Sequence, residues 1–190
     1  GLYKEPLWAG NEYPGLDTQA LMNQRNAIIA EDAESVKKIF DNASNVVVKN
    51  DRQTYNLPQD TGSDSRYYKL TSSDSNNFTI NLYNFGGNQD EPVYIYIPND
   101  YPSIEIQLQE DIVRPIIFCY FGKYPNNPWY MPSDTRTTIR FVGNYHSFRG
   151  SIYTPTAKIE PFNYEYGNFT GSLYADKIQF NSNHANFKFE

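Results

Sequence analysis

The 190-residue chain is long enough for one domain with a small appendage and a sizeable core. Its net charge of −6 argues against nucleic acid as a partner, because that affinity comes largely from neutralising phosphates. A single cysteine, Cys119, excludes an intrachain disulfide, and the 16% aromatic content against 20% charged residues, with 17 Tyr and 12 Phe, favours pleated, half-buried strands.

Residues 1–16, "GLYKEPLWAGNEYPGL", carry Gly and Pro without periodicity and read as an irregular lead-in. The abrupt opening points to a chain that starts after a removed leader or anchor. Asp17 is a candidate N-cap. The segment after it places Leu21, Ile28, Ile29, Val36, Ile39, Phe40 and Ala43 at helical spacing, as one long helix or two short ones. No run of residues reaches the length of an apolar membrane span. We divide the chain into residues 1–45, lead-in and helical region, and residues 46–190, a β domain.

Residues 51–65 are polar and turn-rich and read as a loop. Strands follow at 66–70, 77–85, 92–98, 103–109, 114–122 and 137–143, each alternating or apolar. Gly86-Gly87, Pro98-Asn99-Asp100 and Asn126-Asn127-Pro128 are turn signals between them. Cys119 lies in the apolar run "PIIFCYFG" and reads as a buried, inert thiol.

The last third repeats itself. Phe148-Arg-Gly-Ser-Ile-Tyr153 returns 21 residues later as Phe169-Thr-Gly-Ser-Leu-Tyr174. "AKIEPF" at 157–162 then answers "DKIQF" at 176–180, with two residues inserted around Pro155-Thr156, and Asn186-Phe187 echoes Asn168-Phe169. A unit near 20 residues is the mark of a stacked solenoid, whose coils share one core. The fold class expected is mainly β, a β-solenoid (β-helix) with a short N-terminal helical region; the alternative is a β-sandwich. Period-2 alternation puts Phe148, Ile152, Phe169 and Leu173 on one face and Arg149, Ser151, Tyr153 and Tyr174 on the other. Gly150 and Gly171, in register, mark a close backbone approach or a bend.

These repeats resemble the C-terminal signature of choice-of-anchor A domains and of type IV pilus-associated (PilX-like) bacterial surface proteins. Gly150, Ile152, Tyr153, Pro155 and Ala157 match its first segment; Gly171, Leu173, Tyr174, Ala175 and Lys177 match its second. Thr154 departs from the usual Ala, and the likeness covers about the last 50 residues. The resemblance implies a secreted or surface-displayed β-helical module with no catalytic residues.

Chemistry-bearing motifs are sparse. His146 and His184 sit in separate polar turns and read as solvated, with no metal site, and no phosphate loop or nucleophile elbow occurs. Glu105, Glu110 and Asp111 are the carboxylates to weigh for sugar cleavage, and Asn88, Asp90 and Glu91 the oxygens to weigh for Ca²⁺. No catalytic residue and no cofactor is assigned. The candidate ligand-binding residues are Tyr153, Tyr174, Arg149, Trp129 and Tyr130, rings and donors of the kind that hold a sugar or a protein surface. The function expected is an extracellular bacterial surface or pilus-associated adhesion module. The alternatives are a carbohydrate-binding module and a polysaccharide-active β-helix enzyme. The expected partners are other surface or pilus proteins and host or bacterial glycans, with membrane attachment only through an anchor outside this sequence.

Overall fold

The computed structural model describes residues 18–62, 65–122 and 136–190. Its contacts divide the chain into two compact units, Gly1–Lys38 and Ile39–Glu190. One unbroken helix, α1 (Thr18–Asn42), fills the helical region. Met22, Ile29 and Phe40 are buried, whereas Leu21, Ile28 and Ile39 stay exposed. The buried stripe is thus narrower than the apolar periodicity predicts. Leu21, Ile28 and Ile39 each precede a buried residue, and one step along a helix turns a side chain through roughly 100°. No helix among the described residues is long and apolar enough to cross a membrane.

The second unit is a β-helix. Its strands are β1 (Val47–Lys49), β2 (Thr54–Leu57), β3 (Tyr67–Leu70), β4 (Asn77–Leu82), β5 (Val93–Ile97), β6 (Ser103–Leu108), β7 (Ile116–Tyr120), β8 (Thr138–Val142), β9 (Phe148–Glu165), β10 (Asn168–Asn183) and β11 (Asn186–Phe189). They lie in the order β1-β3-β5-β7-β9-β8-β6-β4-β2, with β10 on β9 and β11 on β10. Each coil therefore lays one strand on each of two faces. In β9 and β10 a single strand runs round the corner and serves both. Every ladder is parallel. That excludes the sandwich, whose sheets are antiparallel.

Strand alternation builds the core in columns. Val47, Tyr68, Ile95, Phe118, Ile152 and Leu173 stand one above another on the first face. Tyr55, Ile80, Ile106, Phe141 and Phe162 do so on the second. The chain travels much further from Phe118 to Ile152 than from Ile152 to Leu173, so only the last coils repeat visibly in sequence. There the expected register holds: Phe148 faces Phe169 with rings 5.3 Å apart and nearly parallel. The register shifts by two residues between the pairs Thr154–Ala175 and Lys158–Lys177, where the sequence places an insertion. Gly150 and Gly171 adopt φ of +141° and +143°. A Cβ on Gly171 would collide with the carbonyl oxygen of Gly150, and one on Gly150 with that of Ile116. Both glycines are required by close approach of successive coils.

One reading changes and one is refined. Residues 51–65 are not a plain loop, since β2 and a short 3₁₀ turn (Gln59–Thr61) lie there. Among the described residues of that segment only Tyr55 and Leu57 are buried, too few to announce a strand among polar neighbours. Cys119 is buried, but it stands in an outward row, aligned with Tyr96 below and Tyr153 above. Burial pushes its thiol up to about 12.

Candidate functional site: stacked aromatic corners

The corner between the second face of one coil and the first face of the next is short in the last coils. Tyr145 lies between β8 and β9, Tyr166 between β9 and β10, and His184 between β10 and β11. All three take left-handed backbone conformations, with φ of 65°, 52° and 55°. Each stands three residues before an inward Phe: Phe148, Phe169 and Phe187. The inward Phe residues lock the register, so the corner residues superpose. Tyr145 and Tyr166 stack at 5.8 Å, and Tyr166 and His184 at 4.9 Å, all within 20° of parallel. The rings point to solvent: Tyr145 is 64% exposed and Tyr166 58%.

Tyr164 braces this corner from within. It is fully buried, and its one hydroxyl proton is shared between the carbonyls of His146 and Asn168, tying two successive corners together. Burial holds its phenol well above the ordinary range. Its ring fills the space that side chains at Gly143 and Gly167 would need. Beside the ladder is a hollow of about 230 Å³ lined by Val142, Asn144, Tyr145, Asn163 and Glu165. A hydrogen bond to Glu165 is the main cause of a raised Tyr145 phenol. Ring, amides and carboxylate thus converge on one small concavity.

Of the candidates from the sequence, Arg149, Tyr153 and Tyr174 lie on the first face. Tyr153 and Tyr174 are register partners with rings stacked at 5.2 Å; Tyr174 is 49% exposed, while Tyr153 also packs against Phe121 at 5.6 Å. The hydroxyls of Ser151 and Ser172 bond at 2.7 Å alongside, and Arg149 is exposed above Thr170 in the next coil. Arg149, Tyr153 and Tyr174 therefore share a face. The strip stops at Tyr153, because the next residue in its row is the buried Cys119 and Phe40 packs on Tyr96 beyond it at 5.3 Å. Trp129 and Tyr130 lie outside the described residues. The corner ladder was missed as a site. Its signal was present as aromatic-x-x-Phe at 145–148, 166–169 and 184–187.

The weighed carboxylates are engaged by hydrogen bonds and cations. Glu105 bonds Gln107 and faces Arg140 at 3.8 Å; Glu110 accepts from the Asn84 N–H at 3.1 Å. Asp111 accepts from the Ser147 N–H at 2.8 Å and faces His146 Nδ1 at 3.6 Å. The Asn88 side-chain oxygen accepts from the Asp90 N–H in a tight turn, and Glu91 faces Arg66. Among the described residues, no three His, Cys, Asp or Glu side chains converge as metal ligands.

Comparison with curated proteins and with solved structures finds no match. A family model described as "Putative Ice-binding-like adhesive domain" matches residues 11–187. It takes the place of the likeness to choice-of-anchor A and PilX-like proteins drawn from the C-terminal repeats; what survives of that likeness is the surface adhesive domain. A parallel β-helix with exposed stacked rings, matched over nearly its whole length, belongs to the ice-binding-like adhesive domain family.

Proposed function

We propose that this chain is a non-catalytic extracellular adhesion module that holds glycans on its stacked aromatic corner, displayed on a bacterial surface or pilus. The observation that carries the reading is the ladder of Tyr145, Tyr166 and His184. Non-glycine residues with positive φ are uncommon, and bulky ones cost strain of roughly 1–3 kcal/mol each. Here three successive coils place a ring in that conformation, stacked and facing water. A sugar ring offers an apolar face to such a plate, and its hydroxyls find amides and a carboxylate at Asn144, Asn163 and Glu165.

The second face supports glycans over ice. Its outward rows run Thr54, Thr79, Glu105, Arg140 and Asn56, Asn81, Gln107, Val142. Charge interrupts the first, and the second spends its amides on itself: Asn81 donates to Asn56 at 2.9 Å and Gln109 to Asn81 at 3.3 Å. A regular, uncharged lattice of donors is therefore not presented to solvent. Glu105, Glu110 and Asp111 are each held by hydrogen bonds or cations and none faces a second carboxylate in these contacts, which supports the non-catalytic part of the reading.

The test is adhesion of fluorescent beads carrying the protein to bacterial and epithelial cells. The triple variant Tyr145→Ala/Tyr166→Ala/His184→Ala should keep its circular dichroism spectrum and lose most adhesion, since interface aromatics carry a disproportionate share of affinity. Full adhesion by the triple variant would move the contact elsewhere, and sugar release from any polysaccharide offered would end the non-catalytic reading.

A further inference from the structure

The first coils hold a feature the ladder does not use. Arg114, at the start of the apolar run leading into β7, is only 3% exposed. Its Nε–H donates to the Glu91 carbonyl at 2.7 Å, and its Nη1 donates to the Gly86 carbonyl. Gly87, at φ +82°, leaves room for the guanidinium; a Cβ there would stand 2.9 Å from Nη1. Among the described residues no carboxylate pairs with Arg114. The two carbonyls take two of the five N–H donors a guanidinium carries.

A buried cation without an anion is costly, and a bidentate carboxylate is the partner a guanidinium fits best. Arg114 lines a cleft of about 810 Å³, within the size range of small-ligand sites. Arg66 is a second cation on its wall and holds Glu91 at 3.8 Å, so the charged side chains lining the cleft leave a net single positive charge. The remaining wall is mostly amide and hydroxyl, from Asn42, Asn45, Ser65 and Asn88, with the ring of Tyr67. That lining of amides, hydroxyls and one ring suits a hydroxyl-rich body better than an acidic peptide, whose apolar side chains would meet only Tyr67 and Ala43.

We infer that this cleft is a second, acid-specific glycan site, taking the carboxylate of a uronic-acid-type sugar on Arg114 and Arg66. The inference deepens the adhesive reading and rests on it, but on different residues. Titration calorimetry with hexagalacturonate and with its fully methyl-esterified form tests it. The acid should bind at least about 10-fold more tightly than the ester, and the preference should shrink with added salt. Arg66→Gln, at a partly exposed position, should weaken acid binding about 10-fold and leave ester binding unchanged. Arg114→Lys keeps the charge but loses the planar fork, and should weaken it by about 10- to 100-fold where near-UV circular dichroism shows an intact fold. Equal binding of acid and ester, no binding of either, or an unchanged preference in Arg66→Gln overturns the inference. Cell adhesion that depends on the corner ladder but not on Arg66 would leave the adhesive reading standing while this site falls. Acid binding without any cell adhesion would do the reverse.

Discussion

The first four coils and the last three solve the same packing problem differently. In the first four, the path back to the core column changes from coil to coil. Val47 to Tyr68 is a short step, Tyr68 to Ile95 a longer one, and the step on from Phe118 to Ile152 is the longest in residues. On their second face the outward rows carry threonines, amides and charges, while on the first face Phe40, near the end of α1, packs on the outward rings of Tyr67 and Tyr96. In the last three, register partners Ser151 and Ser172 are separated by 21 residues and Asn168 and Asn186 by 18 residues, and the corners are too short to wander. The connections before β3, β5 and β7 line the cleft around Arg114. Short ones in the last coils forced corner residues into register and made a ladder. One strand geometry thus carries a cleft among the first four coils and a flat stack of rings on the last three.

The contrast is tested most severely at the glycines. Gly171→Ala places a methyl against the Gly150 carbonyl in a conformation L residues resist. We expect loss of the folded state, seen as loss of the cooperative thermal transition. Gly62, at φ +73° with nothing within 4 Å of an added Cβ, is the control from the looser coils. Gly62→Ala should cost only about 1–2 kcal/mol. Equal costs at the two sites would deny that the last coils are the tighter ones.

Phe169→Ala comes next. The ring is fully buried and packs against Phe148, Phe162, Tyr164 and Phe187. Its removal should cost about 3–5 kcal/mol, against a typical total of about 5–15, and urea titration measures it directly. A near-neutral result would place this face in solvent.

A smaller effect concerns alkaline pH. Burial raises the Cys119 thiol to about 12, so the folded state binds its proton more tightly than the unfolded chain does. Its contribution is complete below the unfolded thiol pKa, near about 8.5, and is lost as pH rises through about 12. Urea midpoints should fall across that window, and fall less in Cys119→Ala. Identical slopes would mean the thiol is not shielded in its outward row.

The least change in stability is expected from Tyr153→Ala/Tyr174→Ala. Tyr174 is half exposed, and the double variant should melt within a few degrees of the parent. Collapse of the fold would show that the outward strip is structural.

How far this could be read from the chain follows the same division. Strands β3 to β8 were legible because alternating apolar residues and turn signals survive any connection length. The repeat at 148–174 was legible because short corners keep copies at fixed spacing. β2 was not, since two inward residues among polar ones carry little pattern. Nor was the role of Arg114, because an arginine opening an apolar strand reads as a solvated end, and only the Gly86–Glu91 loop folded over it makes it a buried cation. The ladder escaped notice because it is written in turn residues, whose stacking depends on coil register rather than on local preference.

Uneven coil spacing also bears on how the molecule would yield under load. Neighbouring coils hold each other through parallel ladders and stacked core columns, so a pull on one terminus would peel them singly. Freed chain lengthens in proportion to its residue count. The coil between Phe118 and Ile152 would therefore release a step more than half as long again as the one between Ile152 and Leu173. Single-molecule traces of an adhesion module built this way would show graded rather than uniform steps, with the short, glycine-locked coils and the long ones giving way as separate, recognisable events.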